Sequence, residues 1–328
     1  MAIAVNRDGS HAAAALGDGT LWMIDLAEAG AEPAVVPVHD GACLALARDI
    51  DGGGFLTGGD DGRLRRIAPG TGPVTLATAP GRWIEHIDSH PRARLRAYNA
   101  GKRVHRIGVD GQPDGPVLEH PSTVGGLAFA PGGQRLAVAH YGGVSLWWLK
   151  GAAEPVRLDW KGSHLGMLWH PEGTHLITLL QESGLHGWRL KDRAEMSMGG
   201  YPTKVRSVGW TTGARFLATG GADCAVCWPF TGGGPWDKRP LELAAGAADL
   251  ITVVAPHPTS PFVAAGCGDG LVLLAALDGS PPAGVAPASG SAVTAMVWSG
   301  DGRHLLYGTE AGRLCHIALP ERAGKRPG

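Results

Sequence analysis

The sequence predicts an all-β fold in which short antiparallel strands close into a single β-propeller. Three observations predict it. The chain holds 52 glycines and 24 prolines, yet 44% of its residues are hydrophobic and 11 are Trp, so Gly and Pro punctuate a folded chain rather than mark a disordered one. Apolar residues recur with a period of two over short stretches, such as "RLAVAH" (135–140) and "RFLATGG" (215–221), bounded by Gly or Pro as strands are. One small turn also returns at a spacing of roughly 40 residues, the mark of a repeat architecture.

That turn appears as Gly17-Asp18-Gly19, Asp60-Asp61-Gly62, Asn99-Ala100-Gly101 and Tyr141-Gly142-Gly143. It continues as Ser183-Gly184, Gly221-Ala222-Asp223, Gly268-Asp269-Gly270 and Glu310-Ala311-Gly312. A second marker keeps the same period: the first strand of a unit ends on a large residue at Phe129, Trp169, Trp210 and Trp298, with Val5 in the first unit. Between first and second strands lie loops such as Pro131-Gly132-Gly133 and Pro171-Glu172-Gly173, where Gly supplies a positive φ without a Cβ clash. A third strand follows each turn, and a fourth, such as "PVLEH" (116–120), "PVRLDW" (155–160) or "LELAA" (241–245), leads into the next unit. No amphipathic helix is evident. Four strands per unit in eight units predict eight blades, with seven as the alternative count.

Residues 1–320 are assigned to the propeller and 321–328 to a polar tail. Aligned on the fourth unit, Met1 falls on Gly125, so nothing ahead of it supplies a strand to complete the last unit. That unit stops after "GRLCHIAL" (312–319), and its blade is expected to be three-stranded, with the native start upstream of Met1.

The repeats resemble the WD-repeat family. "DGTLWMIDL" (18–26), "GGVSLWWL" (142–149) and "GADCAVCWPF" (221–230) are similar to its "DGTVRLWD" strand, and "LAFAPGGQRLAV" (127–138) to its "FSPDGKLLAS" segment. Gly-His openings are hard to find and Trp-Asp is absent at the third-strand ends. The family's Asp–His–Ser–Trp tetrad is therefore expected to be missing from most blades, leaving Trp and Leu packing to hold the ring. The resemblance implies a non-enzymatic platform for other proteins. It is also to a group of short bacterial WD-repeat proteins, which carries a further implied reading as an accessory to a metal-handling GTPase.

Composition excludes several classes. Net charge is −1, and the basic residues 322–326 read as a solvated tail, which argues against a nucleic-acid partner. No apolar stretch approaches a membrane span and no signal peptide is visible. Five scattered cysteines predict reduced thiols and a cytoplasmic protein; a monomer is expected, and no cofactor is assigned.

Cys224 and Cys227 form a CxxC, but in a strand positions three apart face opposite sides, so core packing is the reading. His90, His170 and His257 recur just before Pro, which favours a repeat feature over ligation. "FTGGGPWDKRP" (230–240) lacks the phosphate-loop order and reads as an inserted loop; Trp236 within it is a candidate for partner contact or for packing on the blade edge. Glu85 and Asp88 are the only acidic pair near a channel position. They leave a propeller hydrolase or lactonase, with a channel metal, as the competing function; no metal ligands are assigned. The partner-binding face, by the family's geometry, holds Trp83, Tyr141, Trp160, Lys161, Lys204, Arg206 and Asp269, with Trp236 on its inserted loop.

Overall fold

A computed structural model describes residues 1–319 except Ala29, Ala31, Ala152, Ala153 and Ala248. The proposed tail, 321–328, lies outside the described residues. All regular structure among them is strand, apart from one short 3-10 turn at Thr212–Ala214. Each unit runs as an antiparallel meander from an inner strand outwards. In unit 1 these strands are Ala2–Val5, His11–Ala15, Thr20–Asp25 and Ala34–Pro37, hydrogen-bonded in that order. Inner strands follow at Cys43–Arg48, Ile87–His90, Gly126–Phe129, within Val156–Trp169, and at Val208–Trp210, Ile251–Pro256 and Val293–Trp298.

The strands form seven hydrogen-bonded sheets, and one of these has six strands rather than three or four. Its strands Arg135–Trp148 and Val156–Trp169 are each 14 residues long and carry register shifts near Tyr141 and His164. Arg135–Trp148 runs straight through the turn at Gly142 and Gly143, which have φ of 89° and 139°, and a bond from Leu149 N to Gln134 O closes the two halves on each other. The same closing bond recurs as Leu190 to Thr174, Phe230 to Arg215 and Leu277 to Pro261. Val156–Trp169 likewise serves as outer strand of unit 4 and inner strand of unit 5. Eight sequence units thus enter seven sheets: the ring counts seven by hydrogen bonding and eight by inner strands. The last sheet has three strands, ending on Leu314–Ala318.

Among the described residues, the buried apolar side chains fall into eight clusters, one at each junction between consecutive units. Trp169, Leu176 and Trp188 of unit 5 pack on Ala137, Val144 and Leu158 of unit 4. Ile177, Met196 and Met198 of unit 5 pack on Tyr201 and Leu217 of unit 6. Val5, Ala12, Ile24 and Leu26 meet Leu306 and Val297 and close the ring. Second strands are therefore covered on both faces, which is why Phe55–Gly59 and Leu95–Ala100 are buried along their length rather than alternately, whereas outer strands such as Ala34–Pro37 and Val74–Thr78 stay largely exposed.

Antiparallel order fixes two faces. Loops from outer to next inner strand, and turns between second and third strands, lie at one end, here the upper face. Loops from inner to second strand lie at the other, the lower face.

Candidate functional site

On the upper face the loops are held by polar contacts that descend into each unit. In unit 2, His39 Nδ1 meets Asp61 Oδ1 at 2.9 Å and its Nε2 meets Thr57 Oγ1 at 3.0 Å. In unit 6 a tyrosine takes the histidine's place: the Tyr201 hydroxyl lies 2.7 Å from Thr219 Oγ1 and accepts the Trp228 indole N–H at 2.6 Å. In unit 4 the Trp147 indole donates to His120 at 3.0 Å, and in unit 5 His164 Nδ1 lies 2.8 Å from Thr178 Oγ1. These are fragments of the tetrad, each lacking a member, so its scarcity agrees with the sequence reading. The signal that could have located them is a His or Tyr a few residues ahead of each inner strand, as in "PVHDG" (37–41) and "GGYPT" (199–203).

The predicted contact residues divide by exposure. Trp83 and Tyr141 are each 58% exposed, and Leu165, which the sequence analysis did not single out, is 47% exposed at the start of an inner strand. Lys161 and Arg206 are exposed; Lys204, Trp160 and Asp269 are half-buried. Trp160 stacks on the His186 ring at 3.7 Å between centroids, and Asp269 Oδ1 accepts the Leu271 N–H inside its own turn. The Tyr141 N–H donates to Ser122 Oγ, and Tyr141 pairs with Ser163, next to Lys161 and Leu165. Trp83, Tyr141, Lys161 and Leu165 thus follow one another along the upper rim of units 3 to 5.

Trp236 belongs to a different place. It follows the third strand Ala225–Pro229 of unit 6, on a loop at the lower end, and is half-buried. Its indole N–H donates to Glu195 O at 2.9 Å, and the Arg189 guanidinium lies 4.6 Å above its ring. Its loop uses its own cation: Lys238 Nζ donates to Thr231 O and Gly234 O.

The recurring histidines are latches. His90 Nε2 lies 3.1 Å from Pro131 O of the next unit, and His257 Nε2 lies 3.0 Å from Gly302 O. Each also accepts a backbone N–H of its own turn through Nδ1, as His170 does from Glu172. Cys224 and Cys227 are both buried and unpaired, but one joins the cluster between units 5 and 6 and the other that between units 6 and 7. Burial pushes their thiols up, to about 11 and about 12. Glu85 sits in an upper loop whose N–H is held by Asn99 Oδ1, whereas Asp88 accepts bonds from Phe129 N and Ser89 N on the inner strand below. Among the described residues no group of three or more His, Cys, Asp or Glu side chains is placed to hold a metal ion, and no helix is long and apolar enough to cross a membrane.

The fold is that of WD40 β-propellers. The chain superposes on the C-terminal WD40 domain of Sif2 with a TM-score of 0.77 at 13% identity, covering 98% of this chain and 95% of that one. It superposes on the computationally designed Ika8 protein with a TM-score of 0.77 at 16% identity, covering 97% and 95%. A chain of the mitotic checkpoint complex gives 0.66 at 16% identity, covering 85% and 91%. No family model matches the sequence, and no curated protein does.

Proposed function

We propose that the protein is a non-enzymatic platform that binds another protein across the upper rim of units 3 to 5. The observation that carries this reading is the exposure of two aromatic side chains at 58% each, Trp83 on a loop and Tyr141 beside the Gly142-Gly143 turn of a long strand, on a rigid ring. Leu165 adds an aliphatic contact, and Lys161 supplies a flanking charge beside it; Arg206 adds another further along the rim. Large aromatic and Arg side chains dominate binding energy when a partner desolvates them, and loops on a rigid frame bind with little ordering cost. Trp160, Lys204 and Asp269 support the rim from below. The five unpaired cysteines fit a reducing compartment such as the cytoplasm, with the protein acting as a monomer.

The test compares the wild-type chain with a Trp83→Ala/Tyr141→Ala double variant, both immobilised and challenged with native lysate, with captured proteins quantified by mass spectrometry. One species recovered at least about tenfold less by the variant, at unchanged melting temperature, is expected. Equal recovery by both proteins overturns the upper-rim reading.

A further inference from the structure

We propose that a cleft on the lower face, between units 1, 2 and 3, binds the phosphate or carboxylate group of an anionic ligand. It is separate from the upper rim and does not depend on that reading. The cleft has a volume of about 580 Å³ and is lined by Arg7, Arg48 and Arg92, with Asp88 the one acidic side chain among its walls. The three arginines come from three consecutive units, each from the end of an inner strand or the turn after it.

Several other guanidinium groups in these units have carboxylate partners, although among the described residues the exposed Arg82 and Arg94 do not. Arg63 meets Asp40, Arg66 meets Asp49 and Asp51, Arg96 meets Asp49, and Arg103 meets Glu119. No such ion pair forms at Arg7, Arg48 or Arg92 among the described residues. Arg7 is fixed all the same. Its Nε donates to Asp49 O at 2.5 Å, and Nη2 donates to Ser89 O and Ser89 Oγ at 2.7 and 3.0 Å, so it spans from unit 1 to unit 3. These acceptors are neutral, and Nη1 takes part in none of these bonds. Burial and the nearby Arg48 charge push the Arg7 guanidinium down. The Asp88 charge, followed by those of Asp49 and Asp51, offsets part of this without forming an ion pair with Arg7. Asp88 is occupied by the Phe129 and Ser89 N–H groups, and burial pushes its carboxyl up.

The walls are also preorganised. Pro131 and Pro171 stand on the rim, and His90, bonded to Pro131 O, fixes the spacing between units 3 and 4. A fixed guanidinium with two exposed ones beside it suits a group with several oxygens on one centre, because the planar fork of Arg matches carboxylate and phosphate edges. A track for a nucleic-acid backbone needs basic groups repeated along a surface, whereas these three converge on one cleft.

The experiment titrates the full chain with inorganic pyrophosphate and with a short phosphoserine peptide, by calorimetry at constant ionic strength. The proteins are wild type, Arg48→Ala/Arg92→Ala, and Arg313→Ala as a control on the opposite face. Arg48 and Arg92 are exposed, so the double variant is expected to fold, which its melting curve checks. Saturable binding of at least one probe is expected, weakened about tenfold or more in the double variant and unchanged in Arg313→Ala. Tighter binding of the peptide assigns the anion to a protein partner; tighter binding of pyrophosphate assigns it to a free small molecule. Absence of saturable binding by either probe, or equal binding by the double variant, overturns the proposal.

Discussion

At the lower ends of units 2 and 3 the residue after one inner strand is tied by charge to the second strand of the next unit, whereas in units 5, 6 and 8 the inner strands themselves are tied by indole N–H groups. Asp49, fully buried, accepts from Arg66 Nε at 2.9 Å and from Arg96 Nε and Nη2 at 2.6 and 2.9 Å, which joins unit 2 to unit 3. In the other region Trp169 Nε1 donates to Ala128 O at 3.1 Å, Trp210 Nε1 to Trp169 O at 2.8 Å, and Trp298 Nε1 to Ala255 O at 2.9 Å. Each of these bonds runs from the last residue of one inner strand to the inner strand before it. Both ties join neighbouring units near their lower ends, but they fail differently. A buried carboxylate between two guanidinium groups has given up its hydration, so removal of one partner leaves an uncompensated charge. An indole N–H is neutral, and its loss leaves only a carbonyl short of a donor.

The sharpest way to break the comparison is therefore Asp49→Ala. It strands the Arg96 guanidinium, which is only 4% exposed, and is expected to cost about 3–5 kcal/mol in chemical denaturation. Adding Arg96→Met to the same chain is expected to recover a large part of that loss, because the orphaned charge goes with it. A cost below about 1 kcal/mol for Asp49→Ala would place the pair with ordinary surface ion pairs and remove the distinction.

The same contrast explains what could be read from the sequence. The indole latches were legible because each uses one residue type at one unit position: Trp169, Trp210 and Trp298 keep the repeat period and so announce both the strand end and the packing between units. The recurring His-Pro steps were legible for the same reason. The charged tie was not. Asp49 and Arg96 lie 47 residues apart, in different positions of their units, and only the closed ring brings them together. The cleft formed by Arg7, Arg48 and Arg92 was hidden in the same way, since a pattern of one residue per unit, each at a slightly different offset, looks like scattered surface charge. The long strands of units 4 and 5 also escaped notice. Val156–Trp169 passes from outer strand of unit 4 to inner strand of unit 5 without interruption, so two expected blades share one hydrogen-bonded sheet. Of the upper rim, Trp83 and Tyr141 could be placed from the repeat alone, but the burial of Trp160 against His186 depends on a ring stack that no spacing reveals.

Acid acts on imidazoles and carboxylates in separate windows, and burial also pushes down imidazoles of units 2 and 3, at His39, His86 and His105. Units 4 and 5 hold four neighbouring imidazoles, His120, His140, His164 and His186, each pushed down by burial, to about 4 for His120 and His186. An imidazole with a folded value below its unfolded one, about 6.5, binds its proton more readily when unfolded. Its contribution to stability is complete above about pH 6.5 and is lost as the pH falls towards the folded value. The carboxylates of the charged region run lower. Asp51 and Asp61 are held below the usual range although burial pulls them up, because Arg66 and Gly54 N–H bond the first, and Arg63 N–H and His39 the second. Their contribution is lost only below about pH 4, the ordinary carboxylate value. Denaturation midpoints measured from pH 7 to pH 4 are expected to fall steadily, and His186→Phe is expected to flatten that fall. His186 is fully buried with its Nε2 unpartnered, so a phenyl ring keeps the Trp160 stack and removes one titrating group. A His186→Phe curve parallel to wild type would show that the imidazoles do not govern this window.

The smallest effect concerns a single indole N–H. Trp298→Phe keeps an aromatic ring beside His257 and Phe262, whose centroids lie 4.7 and 5.8 Å from the Trp298 ring, but deletes the donor to Ala255 O. Two losses follow. The carbonyl loses a neutral hydrogen bond, worth about 1 kcal/mol net, and the smaller ring leaves part of the indole volume unfilled, so a total of roughly 1–3 kcal/mol is expected. The two contributions separate in Trp210→Phe. Trp210 is half-buried, so water can reach its site and fill the space, and the cost there is expected to approach that of the hydrogen bond alone. Both variants are expected to lose less than Asp49→Ala, with unchanged denaturant m-values, since neither strands a charge nor opens the ring. If Trp210→Phe instead costs as much as Asp49→Ala, the Trp169–Trp210 step is a structural bottleneck of the ring in its own right, and the neutral latches are no more tolerant of loss than the charged one.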